Sequence, residues 1–295
     1  MPRADDFRAA RNASIAELKV LEREAADQVL KLLEESDREI TRLLASQPTD
    51  YQRWRLAELQ VGVRGQMADF GRAAAAAANG KADAWWRAGI QAVDAPLAAG
   101  EIRLAAMFAN PDPRQLLAMR SFMTSRIEGI SADLVGRINR EIGQVVTGLK
   151  DPFAAIDAVR SQLEGGTGRA LTVVRTELGR AYSTANQERM LQAGQALPGL
   201  RKQWRRSGKL ESRITHDLAD GQVKAPSEPF LVGGERLMYP RDPDATPKNT
   251  VNCGCISLPL MESWEVRSAG ALPFTDAELA GSQNKRRVAQ LRGEL

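Results

Sequence analysis

The side chains best suited to bind a metal lie in one short window near the C-terminal end of the sequence. The only histidine is His216, and the only two cysteines are Cys253 and Cys255. Imidazole and thiolate are preferred zinc ligands, and Cys-x-Cys can offer two sulfurs to one ion. We therefore predict that the three side chains meet in space. If they bind zinc, water or a carboxylate such as Asp217 or Asp220 could supply the fourth ligand.

The same residues also permit interpretations without zinc. Two small buried thiols and a histidine that hydrogen-bonds across a tight turn would stabilise a fold without any metal. A cysteine beside a histidine can act as a nucleophile, but no oxyanion-hole or nucleophile-elbow motif accompanies this one. A metal-dependent nuclease needs several carboxylates, and Asp217, Asp220, Asp242 and Asp244 suit turns equally well. The sequence thus predicts no catalytic residue and leaves zinc binding open.

The elements that must position these residues begin with a long helical region. Apolar residues recur every 11 positions between 14 and 46, which keeps one apolar stripe along a nearly straight helix. Capping residues, prolines and glycines divide the remainder of the helical region into shorter helices. We predict a helix end at Asn79-Gly80, a helix start capped by Ser131, and an interruption at Gly165–Gly168. The predicted helices cover 14–46, about 50–78, 82–94, 113–127, 132–147, 151–164 and 169–194.

Helical periodicity stops near residue 195, and short segments separated by glycine and proline replace it. Short strands are predicted at Lys202–Arg206, Leu237–Tyr239 and Cys255–Leu258. We therefore predict a mainly α protein in which an elongated N-terminal helical region, 1–195, precedes a small α+β domain with short strands, 196–262. A polar basic tail with one helix is expected at 263–295.

The charge distribution indicates one surface for phosphate contacts. Net charge is only +4, but six basic residues lie within 201–213 against a single acid. Such runs are usually solvated surface, and otherwise they meet phosphates or acidic partners. We predict Arg205, Arg206 and Lys209 as contacts to the DNA backbone. Binding would be non-specific and salt-sensitive, because no stacking aromatics are interleaved with the charges.

Several classes of protein are not indicated by the sequence. No apolar run approaches the ~20 residues that span a bilayer, and the polar N-terminus predicts no secretory signal. The sequence has neither a Walker A loop nor a Gly-x-Gly-x-x-Gly fingerprint. Two cysteines one residue apart rarely bond to each other, so a reducing compartment is the simpler expectation.

The helix predicted at 169–194 carries two charged residues of interest. Arg175 and Glu177 are two positions apart and therefore point to different faces. One interpretation is that both residues belong to an ordinary charged helix surface. We expect instead that they anchor the irregular loops of the small domain, which lack enough backbone partners of their own.

Several motifs succeed one another in a recognisable order over roughly 170–262. They are Arg175-Thr176-Glu177, Arg180-Ala181-Tyr182, Trp204, His216, Asp220-Gly221, Phe230, Pro240-x-Asp242 and Asn252-Cys253-x-Cys255. In this order they resemble the phage Mu F-like minor head protein family, also called phage head morphogenesis proteins. Ala219 and Gly254 differ from the family, which usually has leucine before Asp-Gly and arginine between the cysteines.

The resemblance implies a virion component without enzymatic activity. Such proteins are low-copy head proteins that associate with the portal and capsid, inside or at the neck of the head. They act in head assembly and in DNA packaging or delivery, and they occupy the host cytoplasm during assembly. Structural roles are implied for Arg175, Glu177, Trp204, Asp220 and Gly221. The alternative hypotheses are a non-specific DNA-binding accessory protein and a metal-dependent hydrolase or nuclease.

Overall fold

The computed structural model describes residues 2–45, 53–102, 113–146, 149–150, 152–262 and 270–295. Four long helices make up most of these residues: α1 (Pro2–Ala45), α2 (Arg53–Ala99), α3 (Pro113–Val146) and α4 (Pro152–Ala196). Short strands and short helices come after α4. The fold is therefore mainly α, with a long helical region followed by a C-terminal region of short antiparallel strands, as the sequence predicts.

Three predicted helix breaks are wrong. α2 continues through Asn79-Gly80, α3 through Ser131 and α4 through Gly165–Gly168. Tertiary contacts override these local signals. The Asn79 side chain donates to Thr124 Oγ1 at 2.9 Å, and Ser131 is buried in the interior of α3 rather than placed at a helix start. The predicted boundary near residue 50 lies outside the described residues.

The glycines at 165–168 serve close packing instead of interrupting the chain. A methyl group at Gly166 would lie 2.5 Å from Leu134 Cδ1, far inside van der Waals contact. Leu134 lies on α3 and is fully buried. The glycine therefore lets α3 and α4 approach each other, and this packing offsets a helix-propensity cost of about 1 kcal/mol.

Within the described residues, five short strands form two sheets. The central strand β1 (Leu200–Arg205) pairs antiparallel with β2 (Val223–Lys224) and with β5 (Ile256–Met261). β3 (Phe230–Val232) and β4 (Glu235–Leu237) form a hairpin. β1, β4 and β5 overlap the predicted strands. β2 and β3 have no counterpart in the prediction, because two and three residues are too few to show alternation.

Four short helices complete the described chain: α5 (Ile214–Leu218), α6 (Pro247–Thr250), α7 (Asp276–Gly281) and α8 (Gln283–Arg292). α7 begins with a capping box, in which the side chains of Thr275 and Glu278 bond each other's backbone. One helix was expected in the tail at 263–295, whereas its described part, 270–295, holds two. Val288 of α8 is fully buried, so this segment contributes to a core.

The chain divides into two compact units. The first comprises Met1–Leu21, Asp83–Leu116 and Leu178–Leu295, and the second comprises Glu22–Ala82 and Leu117–Glu177. All four long helices, α1 to α4, contribute residues to both units. The domain boundary predicted at residue 195 stays a prediction. Among the described residues, none of the helices has the length and apolar content needed to cross a bilayer.

Two apolar clusters of the first unit fix the position of the larger sheet. The first joins helix residues to the ends of two strands: Phe7, Val93, Leu97, Met190, Ala193, Leu200 and Met261. The second contains the predicted metal-binding cysteines: Trp204, Ala219, Phe230, Val232, Leu237, Cys253 and Cys255. The candidate site therefore lies inside the hydrophobic core of the first unit, against the central strand β1.

Candidate metal centre

Two short helices and one strand bring the histidine and the cysteines together. His216 lies on α5, and Cys253 and Cys255 lie in the loop between α6 and β5. Asn252, directly before the first cysteine, has a left-handed φ of 53°, a conformation that asparagine tolerates better than most residues. This turn redirects the chain out of α6, and the pairing of β5 with β1 then fixes the position of the cysteine loop.

The predicted meeting of the three side chains is confirmed. His216 Nδ1 lies 3.5 Å from Cys253 Sγ and 3.6 Å from Cys255 Sγ. One ligand atom of each residue lies within 4.8 Å of the other two. All three residues are buried, and the cysteines are free thiols. The cluster has the composition and spacing of a metal site, while zinc itself stays a prediction.

Asn249 of α6 orients the imidazole ring. Its Nδ2 donates to Val232 O at 3.4 Å, and because a carbonyl only accepts, this bond turns Asn249 Oδ1 toward His216. His216 Nε2 lies 3.2 Å from that oxygen and must be the protonated nitrogen. In the neutral ring, Nδ1 is then an acceptor whose lone pair faces the two sulfurs.

The two thiols hold their protons unequally. The hydrogen bond from Cys255 keeps the pKa of the Cys253 thiol well below its ordinary value, and the charge of Arg241 acts in the same direction. The same hydrogen bond, together with burial, raises the pKa of Cys255. The backbone N–H of Cys255 also donates to Cys253 Sγ at 3.4 Å. The arrangement favours one thiolate, the form of cysteine that binds metals.

A cavity of about 400 Å³ borders the cluster. The histidine and both cysteines form part of its wall, and the charged residues Lys209, Glu211 and Arg213 line it as well. Although each of the three clustered side chains is buried, the point at which they converge is therefore open to small molecules from one side.

The carboxylates predicted as a fourth ligand are held elsewhere. Asp217 Oδ2 accepts from Lys285 Nζ at 2.8 Å. Asp220 accepts from the backbone N–H groups of Arg206 and Leu272 at 2.9 and 2.8 Å. Both side chains are fully buried, and neither belongs to the converging group found among the described residues. The positions of Asp217 and Asp220 therefore oppose either carboxylate as the fourth ligand, and water, the other alternative, stays a prediction.

Asp220 and Gly221 form the turn that supports Trp204. Gly221 N donates to Trp204 O at 2.9 Å, and a methyl group at Gly221, where φ is +83°, would lie 2.2 Å from Ala271 N. The fully buried Trp204 ring meets His216 edge-on, with ring centroids 5.8 Å apart. These contacts are structural, because they set the indole against the imidazole.

Sequence reasoning missed Arg241. Its guanidinium donates to Cys253 O at 2.6 Å, to Gly179 O at 2.9 Å and to Ser183 Oγ at 2.9 Å. It thereby ties the cysteine loop to α4. A methyl group at Gly179 would lie 2.5 Å from Arg241 Nε, so only glycine leaves room for this contact. The available signal was a lone basic residue inside the Pro240–Pro243 motif.

The loop anchor predicted for Arg175 is made by another arginine. Arg175 Nε lies 3.6 Å from Glu22 Oε1 of the second unit, and Glu177 of the same unit is buried. Arg180, slightly more than one turn further along α4, donates from Nε to Arg241 O at 3.1 Å. The anchoring role of Glu177 stays a prediction.

The predicted phosphate contacts have internal partners. Arg205 NH1 lies 3.1 Å from Asp220 Oδ1, and Arg206 NH2 donates to Glu278 Oε2 at 3.0 Å. Both arginine side chains are only 6% exposed. Lys209 is partly exposed, with Nζ 3.3 Å from a backbone carbonyl oxygen. DNA contact through the two arginines would require buried ion pairs to break, so the geometry opposes that prediction.

Comparisons with known proteins do not assign this chain to a family. No protein-family model matches the chain, and no solved structure matches it. A stretch of 100 residues is 37% identical to the uncharacterized protein YqbB of Bacillus subtilis (strain 168). This stretch covers 32% of the chain and 32% of that protein, so the chain spans about a third of the length of the relative.

Proposed function

We propose that this protein is a minor head protein of a tailed phage or prophage. In this role it is a non-enzymatic virion component that associates with the portal and capsid. It acts in head assembly and in DNA packaging or delivery. It lies in the host cytoplasm during assembly and afterwards inside or at the neck of the capsid.

The observation that carries the proposal is the convergence of motif residues that resemble the phage Mu F-like family. Trp204 packs edge-on against His216 and Phe230, and His216 meets both cysteines. Arg241 then joins Cys253 to α4. Motifs that lie far apart in the sequence thus build one packed module. This supports the resemblance as a shared fold signature rather than a chance order of common residues.

The alternative of a DNA-binding accessory protein has less support. Its main candidates, Arg205 and Arg206, neutralise Asp220 and Glu278 inside the first unit. A charge that is already paired and desolvated adds little to the counterion release that drives DNA binding. These two arginines therefore give the DNA-binding alternative little support.

The proposal predicts a direct complex with the portal protein encoded by the same phage or prophage. When the full chain is co-expressed with tagged portal protein, the two should co-purify at low salt and elute together from a sizing column at a fixed ratio. Mass spectrometry of assembled heads should also detect the chain.

Nuclease treatment separates this complex from bridging by DNA. Association that survives nuclease supports docking between proteins, and association that disappears supports the DNA-binding alternative. An unrelated protein of similar net charge serves as the control for non-specific attraction. Failure to co-purify at low salt would contradict the proposed function.

A further inference from the structure

The His216 cluster has the ligand spacing of a zinc site. With Zn–S bonds of about 2.3 Å and a Zn–N bond of about 2.0–2.1 Å, a tetrahedral ion separates sulfur from nitrogen ligands by about 3.5 Å. The distances from His216 Nδ1 to Cys253 Sγ and Cys255 Sγ are 3.5 and 3.6 Å. The two nitrogen–sulfur distances of the cluster therefore match those that a tetrahedral zinc ion requires.

The surroundings also match a metal site beyond the ligands themselves. Metal-binding histidines usually donate their second ring nitrogen to a carbonyl or carboxylate, which fixes the ring and its tautomer. His216 does so through Nε2 to Asn249 Oδ1 at 3.2 Å, and Asn249 is itself held by Val232 O. The ring therefore presents the unprotonated Nδ1 to the point where the two sulfurs converge.

The chemistry of the donor set selects the ion. Two thiolates and one neutral imidazole are soft and borderline ligands, which favour Zn²⁺ over the oxygen-seeking Mg²⁺ or Ca²⁺. Two thiolate charges and one divalent ion cancel, which suits a site as thoroughly buried as this one.

We propose that His216 Nδ1, Cys253 Sγ and Cys255 Sγ bind one Zn²⁺ ion, and that the fourth position of this ion faces the adjoining cavity. Asp217 and Asp220 are bonded elsewhere, so a water molecule from the cavity takes that position. The ion links α5 to the loop before β5. This inference does not depend on the proposed function in the phage head.

The metal content of the full chain provides the first test. The protein is purified through a tag without histidines and without added metal, and zinc is measured by mass spectrometry. We expect about one Zn²⁺ per chain. After removal of zinc with a chelator under reducing conditions, Co²⁺ should give sulfur-to-metal charge transfer and the intense visible bands of a tetrahedral site.

Variants then assign the ligands. His216→Ala and Cys253→Ser should each lose most of the bound zinc. Ser257→Ala is the matched control, because Ser257 is a buried neighbour on β5 outside the cluster, and it should retain about one ion. Asn249→Ala keeps all three ligands and should weaken zinc binding by about 10- to 100-fold in competition with a chromophoric chelator. Asn249→Asp, which restores the acceptor for His216, should recover affinity.

The wild-type protein alone can overturn the proposal, even if the ligand variants fail to fold. A folded chain with both thiols reduced that contains no zinc, takes up none against a weak chelator, and gives no Co²⁺ charge-transfer band does not have this site. The cluster is then a metal-free hydrogen-bonded core. Because portal association is measured separately, either result leaves the test of the head-protein function unaffected.

Discussion

Lys202 is a charged residue placed where charge is costly. Its side chain is fully buried on β1, where Nζ donates to Gln187 Oε1 at 3.1 Å and to Met238 O at 2.6 Å. Burial lowers the pKa of this ammonium group from 10.5 to about 7, although the nearby acids Asp242 and Glu228 act in the opposite direction. Protonated Lys202 therefore opposes folding, despite its two hydrogen bonds.

We predict that Lys202 makes the free energy of unfolding rise with pH between about 7 and 10.5. In this range the folded side chain is neutral while the unfolded side chain still binds a proton. Stability increases with pH wherever the unfolded state holds more protons. One proton gives a slope of at most about 1.4 kcal/mol per pH unit. Urea unfolding at stepwise pH measures this slope.

The Lys202→Met variant isolates the contribution of Lys202 to the pH dependence of the free energy of unfolding, because methionine fills a similar volume and does not titrate. Wild type and variant share every other titratable group, so the informative quantity is the difference between their free energies of unfolding. The advantage of the variant should be largest below the folded pKa of about 7 and shrink toward pH 10.5. A difference that stays constant across this range would show that Lys202 does not titrate as described.

At the residue scale, the residues able to bind a metal could be predicted from the sequence, whereas the partners of charged residues could not. His216, Cys253 and Cys255 were identified because their residue types occur nowhere else in the chain. The burial of Arg206 was not predictable, because its partner Glu278 lies 72 residues away. A basic run looks alike whether it faces solvent or buried acids, and no local pattern contains the long-range information that separates the two.

At the level of elements, α2 and α4 pack closely in the first unit at a glycine. A methyl group at Gly89 of α2 would lie 2.3 Å from Tyr182 O and 3.0 Å from Ala185 Cβ of α4. Asn186 also donates from Nδ2 to Gly89 O at 3.3 Å. The two backbones therefore touch directly, with no space for any side chain between them.

We expect Gly89→Ala to lower the free energy of unfolding by about 1–3 kcal/mol, the usual cost of overpacking. The new methyl group meets backbone atoms of α4, which cannot rotate aside as a side chain can. Gly80→Ala in the same helix is the matched control. It has open space around the new methyl group and should gain about 0.5–1 kcal/mol from better helix propensity. Urea unfolding midpoints of both variants should shift in opposite directions, and a shared sign would contradict the packing argument.

This contact also shows why helix type was predictable while helix ends were not. The apolar repeat between 14 and 46 follows from one buried stripe, and α1 (Pro2–Ala45) covers most of it. Glycine, by contrast, has two opposite uses. It ends a helix where the chain must turn, and it continues a helix where a neighbour comes close, as at Gly166 and Gly89. Which use applies depends on a partner helix that local sequence does not reveal.

At the scale of the whole molecule, buried charges connect the C-terminal segment 270–295 to the rest of the first unit. Lys285 Nζ of α8 lies 2.8 Å from Asp217 Oδ2 of α5, and both side chains are fully buried. Arg292 donates to Asp217 O, and Arg206 of the segment after β1 pairs with Glu278 of α7. The helices nearest the C-terminus thus hold α5, the element that carries His216.

We predict that Lys285→Met lowers the free energy of unfolding by about 3–5 kcal/mol, because it leaves the Asp217 carboxylate buried without a counter-charge. The double variant Lys285→Met with Asp217→Asn removes both charges and should recover a large part of this loss, since a neutral pair avoids desolvating an ion. Urea unfolding of wild type, both single variants and the double variant gives the four free energies of a double-mutant cycle.

The cycle also tests whether α8 holds α5 specifically. Hydrogen exchange in α5 should accelerate in Lys285→Met and slow again in the double variant. Local opening of α5 hydrates the unpaired Asp217 carboxylate, so the single variant should open more often. If the losses of the two single variants simply add, the two groups act independently and the ion pair does not couple the helices. A positive coupling energy would instead make 270–295 an integral part of the fold, since it holds in place the helix on which the candidate metal ligand lies.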